Sequence, residues 1–227
     1  MRPLLHAELL KLRTTRTFAA LAAAAVGTSL LLTVLVSLLT EPTKKSVLID
    51  VFASDTSGLF ILLLAVVGIS GEWRHRTIAG SLLTAPGRLR FLAAKMLAFA
   101  AAGLLLSLSI YLAVSIVAFV ILTVRELPLP QLGELVELAV RGAGLAALLG
   151  ALGVCLGALV RNQVVAIVGV LLLSFLLEPL LLSLVPDVGR FGPFVALPTA
   201  AADLSPADTG LGDVTLVAPG VAVLLML

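Results

Sequence analysis

The residues able to do chemistry are few, and most lie in two polar segments, one at the start of the chain and one after residue 70. The only histidines, His6 and His75, lie in these segments, and the single cysteine, Cys155, lies within an apolar run. A serine–histidine pair inside an apolar segment is therefore not predicted. The sequence also contains no G-x-x-x-x-G-K-[ST] phosphate loop and no H-E-x-x-H zinc motif. We expect no catalytic residues and no bound cofactor or metal in this chain.

The segments that position these residues have the composition of a membrane protein. Of the 227 residues, 60% are hydrophobic and 12% are charged, whereas a soluble domain carries about 25% charged residues. A lipid solvent accommodates this composition, because apolar side chains can then face outward. The net charge is only +2, and the basic residues lie beside apolar stretches and not on a soluble face. Nucleic-acid binding is therefore not indicated.

Five apolar stretches are long enough to cross a bilayer as helices, and a sixth begins near the end of the sequence. The predicted fold is an all-α, polytopic integral membrane protein with six transmembrane helices in one domain over residues 1–227. The last stretch, 214–227, has 14 residues, so we expect a short span or a chain that continues. The predicted spans are 18–39, 51–70 with Asp50 and Asp55 near its outer end, a third within 96–124, 138–160, and a fifth that starts at 164 and breaks at Glu178-Pro179.

The distribution of basic residues predicts the orientation of these spans. Ten of the 15 Lys and Arg residues fall on one side of the predicted membrane, in residues 2–16, 74–95 and Arg161, and five fall on the other side. The side that is richer in Lys and Arg faces the cytoplasm. We therefore expect a cytoplasmic N-terminus.

The segment 2–17 has the pattern of an amphipathic helix in the cytoplasmic interface. Leucines recur in it at helical spacing against charged residues, which suits a helix lying near anionic headgroups. A simple positively charged topology signal explains the same residues, and the two interpretations are compatible. The charged residues that we assign to this interfacial helix are Glu8, Lys11, Arg13 and Arg16.

The segment 71–95 is the longest predicted cytoplasmic connection and the most polar one. It begins with a compact charged cluster at the inner end of span two, and the residues that follow can form a short helix, 77–84, before Ala85-Pro86-Gly87 breaks it. Such a helix suits docking of a soluble partner, while the alternative is a solvated basic loop that only sets topology. The candidate docking residues are Glu72, Trp73, Arg74, His75, Arg76, Thr77, Ile78, Leu82 and Leu83.

Two further segments carry structural predictions. Small residues on one face of span four let helix backbones approach closely, and they pack against another helix, either within the chain or across a dimer. Glu178 and Pro179 break span five, so we place them at the outer boundary and expect re-entrant helices in the outer segment 179–213. The small residues of span four are Gly142, Ala146, Gly150, Gly153 and Gly157.

Taken in order, these features resemble the permease subunits of bacterial ABC-2 type transporters. Three passages carry the resemblance. Residues 8–16, ELLKLRTTR, are similar to the family's N-terminal amphipathic helix. Residues 71–78, GEWRHRTI, with Leu82-Leu83-Thr84-Ala85-Pro86 and then Arg88 and Lys95, look like its coupling segment. The third passage is the outer segment after span five, which ends in Leu197-Pro198 and Ala200-Ala201.

The resemblance implies a division of labour between subunits. Two permeases would pair, as a homo- or heterodimer, above two copies of a soluble P-loop ATPase, with ATP and Mg²⁺ bound on that partner. The segment 72–84 would dock on the ATPase, and the complex would reside in the bacterial plasma membrane and contact its lipid. The cargo that the resemblance implies is an amphipathic or lipid-like compound moved outward, such as a drug, antibiotic or peptide.

Two other classes of protein fit parts of the pattern. A membrane anchor that recruits or regulates a cytoplasmic partner without transport would use the same cytoplasmic segment. A membrane enzyme would need a constellation of His, Cys or acidic residues, which the sequence does not display. A neighbouring gene for a P-loop ATPase would favour the transporter over both.

Overall fold

The computed structural model describes residues 2–40, 47, 51–52, 55–74, 87–160 and 162–185. Every regular element in these ranges is helical, and five helical stretches are long and apolar enough to cross a membrane. This confirms the all-α class and the multi-pass character. The predicted sixth stretch, 214–227, lies outside the described residues. The elements are α1 (Arg2–Thr14), α2 (Arg16–Leu39), α3 (Ser57–Arg74), α4 (Arg88–Val124), α5 (Leu132–Leu159), α6 (Gln163–Leu172), a π-helical turn (Leu173–Leu177) and α7 (Glu178–Leu184).

The helix α5 lies at the centre of the bundle and packs along both α3 and α4. Its small residues make the close approach possible. A Cβ atom added at Gly150 would lie 2.6 Å from the carbonyl oxygen of Phe99 in α4, and one added at Gly153 would lie 2.6 Å from that of Leu62 in α3. The small-residue face predicted for span four therefore packs within the chain.

The helix α2 buries only one narrow face, and that face is mostly polar. Its buried residues are Ala25, Ser29, Thr33 and Ser37, which recur at every fourth position and so share one side of the helix. At its end, the guanidinium of Arg125 donates to the carbonyl oxygens of Ser37 and Thr40. The rest of α2 exposes leucines of the kind that contact lipid tails.

The helix α3 starts later than the sequence predicted. The predicted span 51–70 becomes a helix from Ser57 to Arg74, and Asp55 and Thr56 just before it are not helical, whereas Val51 and Phe52 lie in a π-helical turn. Asp55 accepts a hydrogen bond from Ser107, a residue in the middle of α4. Asp55 thus lies just before the first residue of α3, beside the middle of α4.

The predicted helix break at Glu178-Pro179 is not observed. The helical stretch that is long and apolar enough to cross a membrane continues from Gln163 to Leu184. Proline lacks an N–H and its ring crowds the preceding turn, and here a π-helical turn comes just before Pro179. Such a turn widens the helix locally, so the chain can accept proline without ending the helix. Residues 179–184 of the predicted re-entrant segment belong to this helix, and residues 186–213 lie outside the described ranges.

Candidate functional site

Four charged side chains meet where α1 packs against the bundle. The Nζ atom of Lys95 lies 2.6 Å from a carboxylate oxygen of Glu8 and 3.0 Å from one of Glu72. The Nζ atom of Lys11 lies 2.5 Å from the same oxygen of Glu72 and 3.7 Å from Glu8. These four residues form what we call the ion network, with two positive and two negative charges.

The secondary structure explains how this network assembles. Glu8 and Lys11 are three residues apart in α1 and therefore share one face of the helix. Glu72 lies in the last turn of α3, and Lys95 lies in the third turn of α4. The ammonium of Lys95 also lies 5.4 Å from the centre of the Phe91 ring, within the range of a cation–π interaction. Three separate helices thus contribute to one cluster.

Burial makes the pairing of these charges important. Lys95 is 1% exposed and Glu72 is 5% exposed, so neither charge is solvated by bulk water. An unpaired charge at such a site is costly, and removing one partner of a buried pair is strongly destabilising. Within the ion network, Lys95 bridges the two carboxylates, while the half-exposed Lys11 connects the network to its surroundings.

The pKa of Lys11 reflects the same arrangement. Partial burial lowers the pKa of its ammonium, but the hydrogen bond to Glu72 and the charges of Glu8 and Glu72 outweigh that effect and raise the pKa above its ordinary value. Lys11 is therefore held in its charged form. Its proton is retained well into the alkaline range.

A cavity of about 530 Å³ lies next to the ion network and extends into the bundle. One part of its wall is apolar and the other part is charged or polar, so the cavity suits a molecule with both an apolar and a polar part. The apolar wall comprises Leu12, Phe18, Leu64, Val67 and Phe99, and the polar wall comprises Glu8, Lys11, Thr15, Thr17, Glu72, Arg74, Lys95 and Gln163.

The predicted interfacial helix corresponds to α1. Its predicted charged residues divide into two groups, because Glu8 and Lys11 point into the ion network while Arg13 is exposed. Arg16 begins α2 and is exposed as well. The helix is therefore attached to the bundle by part of its polar face, and its remaining basic residues stay accessible.

The predicted docking residues are only partly described. Glu72 lies in the ion network and is not on an accessible surface. Trp73 is half-buried, and the exposed Arg74 donates a hydrogen bond to Gln163 of α6 at 3.2 Å. The other predicted docking residues, His75, Arg76, Thr77, Ile78, Leu82 and Leu83, lie outside the described residues.

Sequence reasoning had grouped Lys95 with the coupling segment but did not pair it with Glu8. The sequence did indicate that Lys95 needs a partner, because it stands between Ala94 and Met96 in an apolar stretch. A lysine in such a position generally needs an acidic partner or an interfacial location. What the sequence did not contain was the identity of that partner, which depends on how α1 packs against α4.

Comparison of this chain with protein-family models, with curated proteins and with solved structures found no match in any of the three.

Proposed function

We propose that this chain is the transmembrane permease subunit of an ATP-driven exporter of the ABC-2 type, with ATP hydrolysis carried out by a separate soluble subunit. The five apolar helices would form the membrane part of each permease. The end of the bundle that carries α1 would face the cytoplasm, in the bacterial plasma membrane, where the excess of basic residues favours it. A second permease subunit and two ATPase subunits would complete the transporter.

The ion network is the observation that carries this proposal. Glu72 stands just before the segment 75–86 and Lys95 stands shortly after it. Both side chains are joined to α1, through Lys11 and Glu8 respectively. Because the two ends of this segment and α1 are joined by buried charges, a force applied to the segment would move α1, α3 and α4 together. A coupling element needs such a connection between the partner's docking site and the transmembrane helices.

The adjoining cavity supports the proposed class of cargo. Its apolar wall and its charged rim suit an amphipathic or lipid-like compound, such as a drug, antibiotic or peptide. Its position beside α1 is where a molecule that partitions into the inner leaflet would first meet the bundle. The cargo would then enter from the membrane interface.

The decisive experiment is a mild-detergent purification of the chain from its native cell, with identification of the proteins that co-purify in stoichiometric amount. We expect a soluble P-loop ATPase. Replacing residues 77–84 with a glycine–serine segment of equal length should abolish its recovery, because the docking residues are lost. Recovery of the chain alone, or with a partner that is not an ATPase, would instead favour a membrane anchor that recruits a cytoplasmic protein.

A second variant separates docking from coupling. Glu72→Gln keeps the size of a buried side chain and weakens its attraction for Lys11 and Lys95. We expect this variant to retain the ATPase while the stimulation of ATP hydrolysis by cargo falls by about tenfold, equivalent to roughly 1.4 kcal/mol of coupling. The matched control is Glu137→Gln, which changes an exposed carboxylate paired with Arg141 at a distance from the network. Equal stimulation of ATP hydrolysis by cargo in both variants would show that the ion network has no role in coupling.

A further inference from the structure

The cavity beside the ion network changes in character along its length. Leu64 of α3 and Phe99 of α4 line it and are buried, whereas Thr17 of α2 and Arg74 at the last position of α3 line it and are exposed. One end of the cavity is therefore apolar and enclosed by the bundle, and the other end is polar and open. A ligand that matches this gradient has an apolar part and a polar part at opposite ends.

The lining residues of α3 give the length of the cavity. Leu64 and Arg74 are ten residues apart in this helix, which corresponds to about 15 Å along its axis. The hydrocarbon core of a bilayer is about 30 Å thick, so the cavity is as long as one leaflet is deep. Its volume of about 530 Å³ lies within the range of roughly 300–1,000 Å³ for a pocket that holds one drug-sized molecule. One hydrocarbon chain with its head group suits these dimensions.

The charges at the polar end of the cavity do not balance. Three basic residues and two acidic residues line it, namely Lys11, Arg74 and Lys95 against Glu8 and Glu72. The ion network pairs both acidic residues with Lys11 and Lys95. Among the described residues, none of the ion pairs includes Arg74. The lining therefore carries one net positive charge, and that charge is located at Arg74.

The side chain of Arg74 is suited to holding an anionic group at the mouth of the cavity. In the described part of the chain its guanidinium donates one hydrogen bond, to Gln163 of α6 at 3.2 Å. Gln163 also lines the cavity, so this bond directs the guanidinium toward the opening. A guanidinium has five N–H donors in a planar fork, and that geometry suits two oxygen atoms of a carboxylate, sulfate or phosphate group.

The same arrangement disfavours a ligand with a cationic head. The carboxylates of Glu8 and Glu72 are both bridged by Lys95, at 2.6 Å and 3.0 Å, so their charges are already compensated within the ion network. A cationic head would therefore meet the positive charge of Arg74 without a compensating attraction. Charge complementarity of this kind determines which of several similar ligands is preferred.

We propose that this cavity binds an amphiphile with one hydrocarbon chain and one negative charge, with the chain between Leu64 and Phe99 and the head group at Arg74. The proposal rests on the proposed function only in identifying this ligand as the cargo. It narrows the class of cargo from amphipathic compounds in general to those with an anionic head. The ligand enters from the leaflet that surrounds the end of the bundle carrying α1.

Gly71 offers a way to block the cavity without disturbing the bundle. It lines the cavity, and an added Cβ atom there would have nothing within 4 Å. A larger side chain at this position enters open space. Gly68 also lines the cavity, but its added Cβ atom would lie 2.5 Å from the ring of Phe99, so a substitution there would disturb packing. Gly71→Leu is therefore the variant that fills the cavity.

The test is photocrosslinking of a hexadecyl sulfate that carries a diazirine in its chain, performed on the purified full-length chain in phosphatidylcholine nanodiscs. We expect saturable crosslinking to peptides that contain Leu64 or Phe99. Unlabelled hexadecyl sulfate should compete at about a fivefold lower concentration than the neutral hexadecyl maltoside, a factor that corresponds to the attraction between one basic residue and an anionic head group at a membrane surface. The cationic hexadecyltrimethylammonium should compete more weakly than either.

Two variants with matched controls separate the head-group contact from the space for the chain. Arg74→Gln should remove the preference for the anion and leave competition by hexadecyl maltoside unchanged. Arg90→Gln alters an exposed basic residue that does not line the cavity, and it should keep the preference. Gly71→Leu should abolish saturable crosslinking, whereas Gly144→Leu, which also adds a side chain in open space but outside the cavity, should crosslink like the unaltered chain.

Thermal unfolding without ligand guards against a variant that fails to fold, since Arg74→Gln and Gly71→Leu should both unfold at the temperature of the unaltered chain. Equal competition by the three head groups would overturn the proposal. So would crosslinking confined to the exposed leucines of α2, or an equal loss of anion preference in Arg74→Gln and Arg90→Gln. No ATPase takes part in these measurements, so their failure leaves the proposed transport function standing. Failure to co-purify an ATPase would in turn leave the binding site standing.

Discussion

Lys95 shows how one buried side chain can join three helices. It is 1% exposed and its ammonium contacts Glu8 of α1 and Glu72 of α3. Lys95 bridges the two carboxylates, and the only other cation in the ion network is the half-exposed Lys11. We therefore regard Lys95 as the residue on which the attachment of α1 depends.

Replacement of Lys95 by methionine should destabilise the chain by about 3 kcal/mol, because two carboxylates lose their shared cation. The measurement is the free energy of unfolding in mixed detergent micelles. Arg90→Met is the matched control, since Arg90 lies in the same helix and is exposed, and its effect should stay within about 0.5 kcal/mol. Adding Glu72→Gln to Lys95→Met should recover part of the loss. Equal stability of the two single variants would contradict the buried network.

The raised pKa of Lys11 predicts a loss of stability at alkaline pH. The folded state holds the Lys11 proton more tightly than the unfolded chain, whose ordinary value is 10.5. The stabilisation is therefore complete below about pH 10.5 and is lost as the pH rises through the raised pKa. Fluorescence of Trp73, the single tryptophan and a neighbour of Glu72 in sequence, can follow unfolding between neutral pH and pH 11. Lys11→Met removes the titrating group, so a pH profile identical to that of the unaltered chain would refute this assignment.

At the residue scale, the sequence placed the polar residues on the correct segments but did not predict their contacts. Glu8 and Lys11 were assigned to an interfacial helix and Glu72 to a docking surface. In the structure Lys11 contacts Glu72 directly, and Lys95 contacts both Glu8 and Glu72. Helix periodicity predicts which face a residue occupies, whereas the partner of that face depends on tertiary packing.

At the scale of elements, the small residues of α5 determine how closely the helices approach. Gly157 lies against Val66 of α3, where an added Cβ atom would be 2.9 Å from the Val66 backbone. Gly142 faces the ring of Tyr111 in the same tight manner. Sequence reasoning identified this face from its spacing, but it could not distinguish packing within the chain from packing in a dimer, because both use the same residues.

Substitution of Gly150 by leucine should destabilise the bundle by about 3 kcal/mol, near the upper part of the usual range for overpacking. The reason is a Cβ atom that would lie 2.6 Å from the backbone oxygen of Phe99. Gly144→Leu is the matched control in the same helix, because nothing lies within 4 Å of its added Cβ atom. Thermal unfolding of both variants in detergent provides the measurement. If the two variants unfold at the same temperature, Gly150 faces lipid and not α4.

The start of α3 and the turn before Pro179 show what hydropathy cannot resolve. Two polar residues lower the mean hydropathy of an apolar window only slightly, so the predicted span ran through Asp55 and Thr56, which are not helical. Proline at position 179 was expected to end a helix, which is the common outcome. The π-helical turn offers another solution, and no sequence pattern specified it.

At the scale of the whole molecule, the arrangement predicts which ends of the helices share a membrane face. His6 of α1 and Glu134 of α5 are both exposed and should lie on opposite sides. In a Cys155→Ala background, which removes the single native cysteine, a membrane-impermeant thiol reagent added to intact cells should label Glu134→Cys and not His6→Cys. Opening the cells should make His6→Cys reactive. Labelling of His6→Cys in intact cells would reverse the predicted orientation.

The polar face of α2 has a consequence for how the protein is made. Its partners are Thr56 and Arg125, and the contact between Arg125 and Ser37 spans 88 residues of chain. The contact between Glu8 and Lys95 spans 87 residues of chain. A membrane protein leaves the ribosome N-terminal end first, so α1 and α2 are synthesised well before Lys95 and Arg125, which complete their contacts. The contacts to Thr56 and Glu72 can form earlier, but α1 and α2 reach their full set of contacts only once α4 has been translated, so α4 completes the arrangement of the nascent chain.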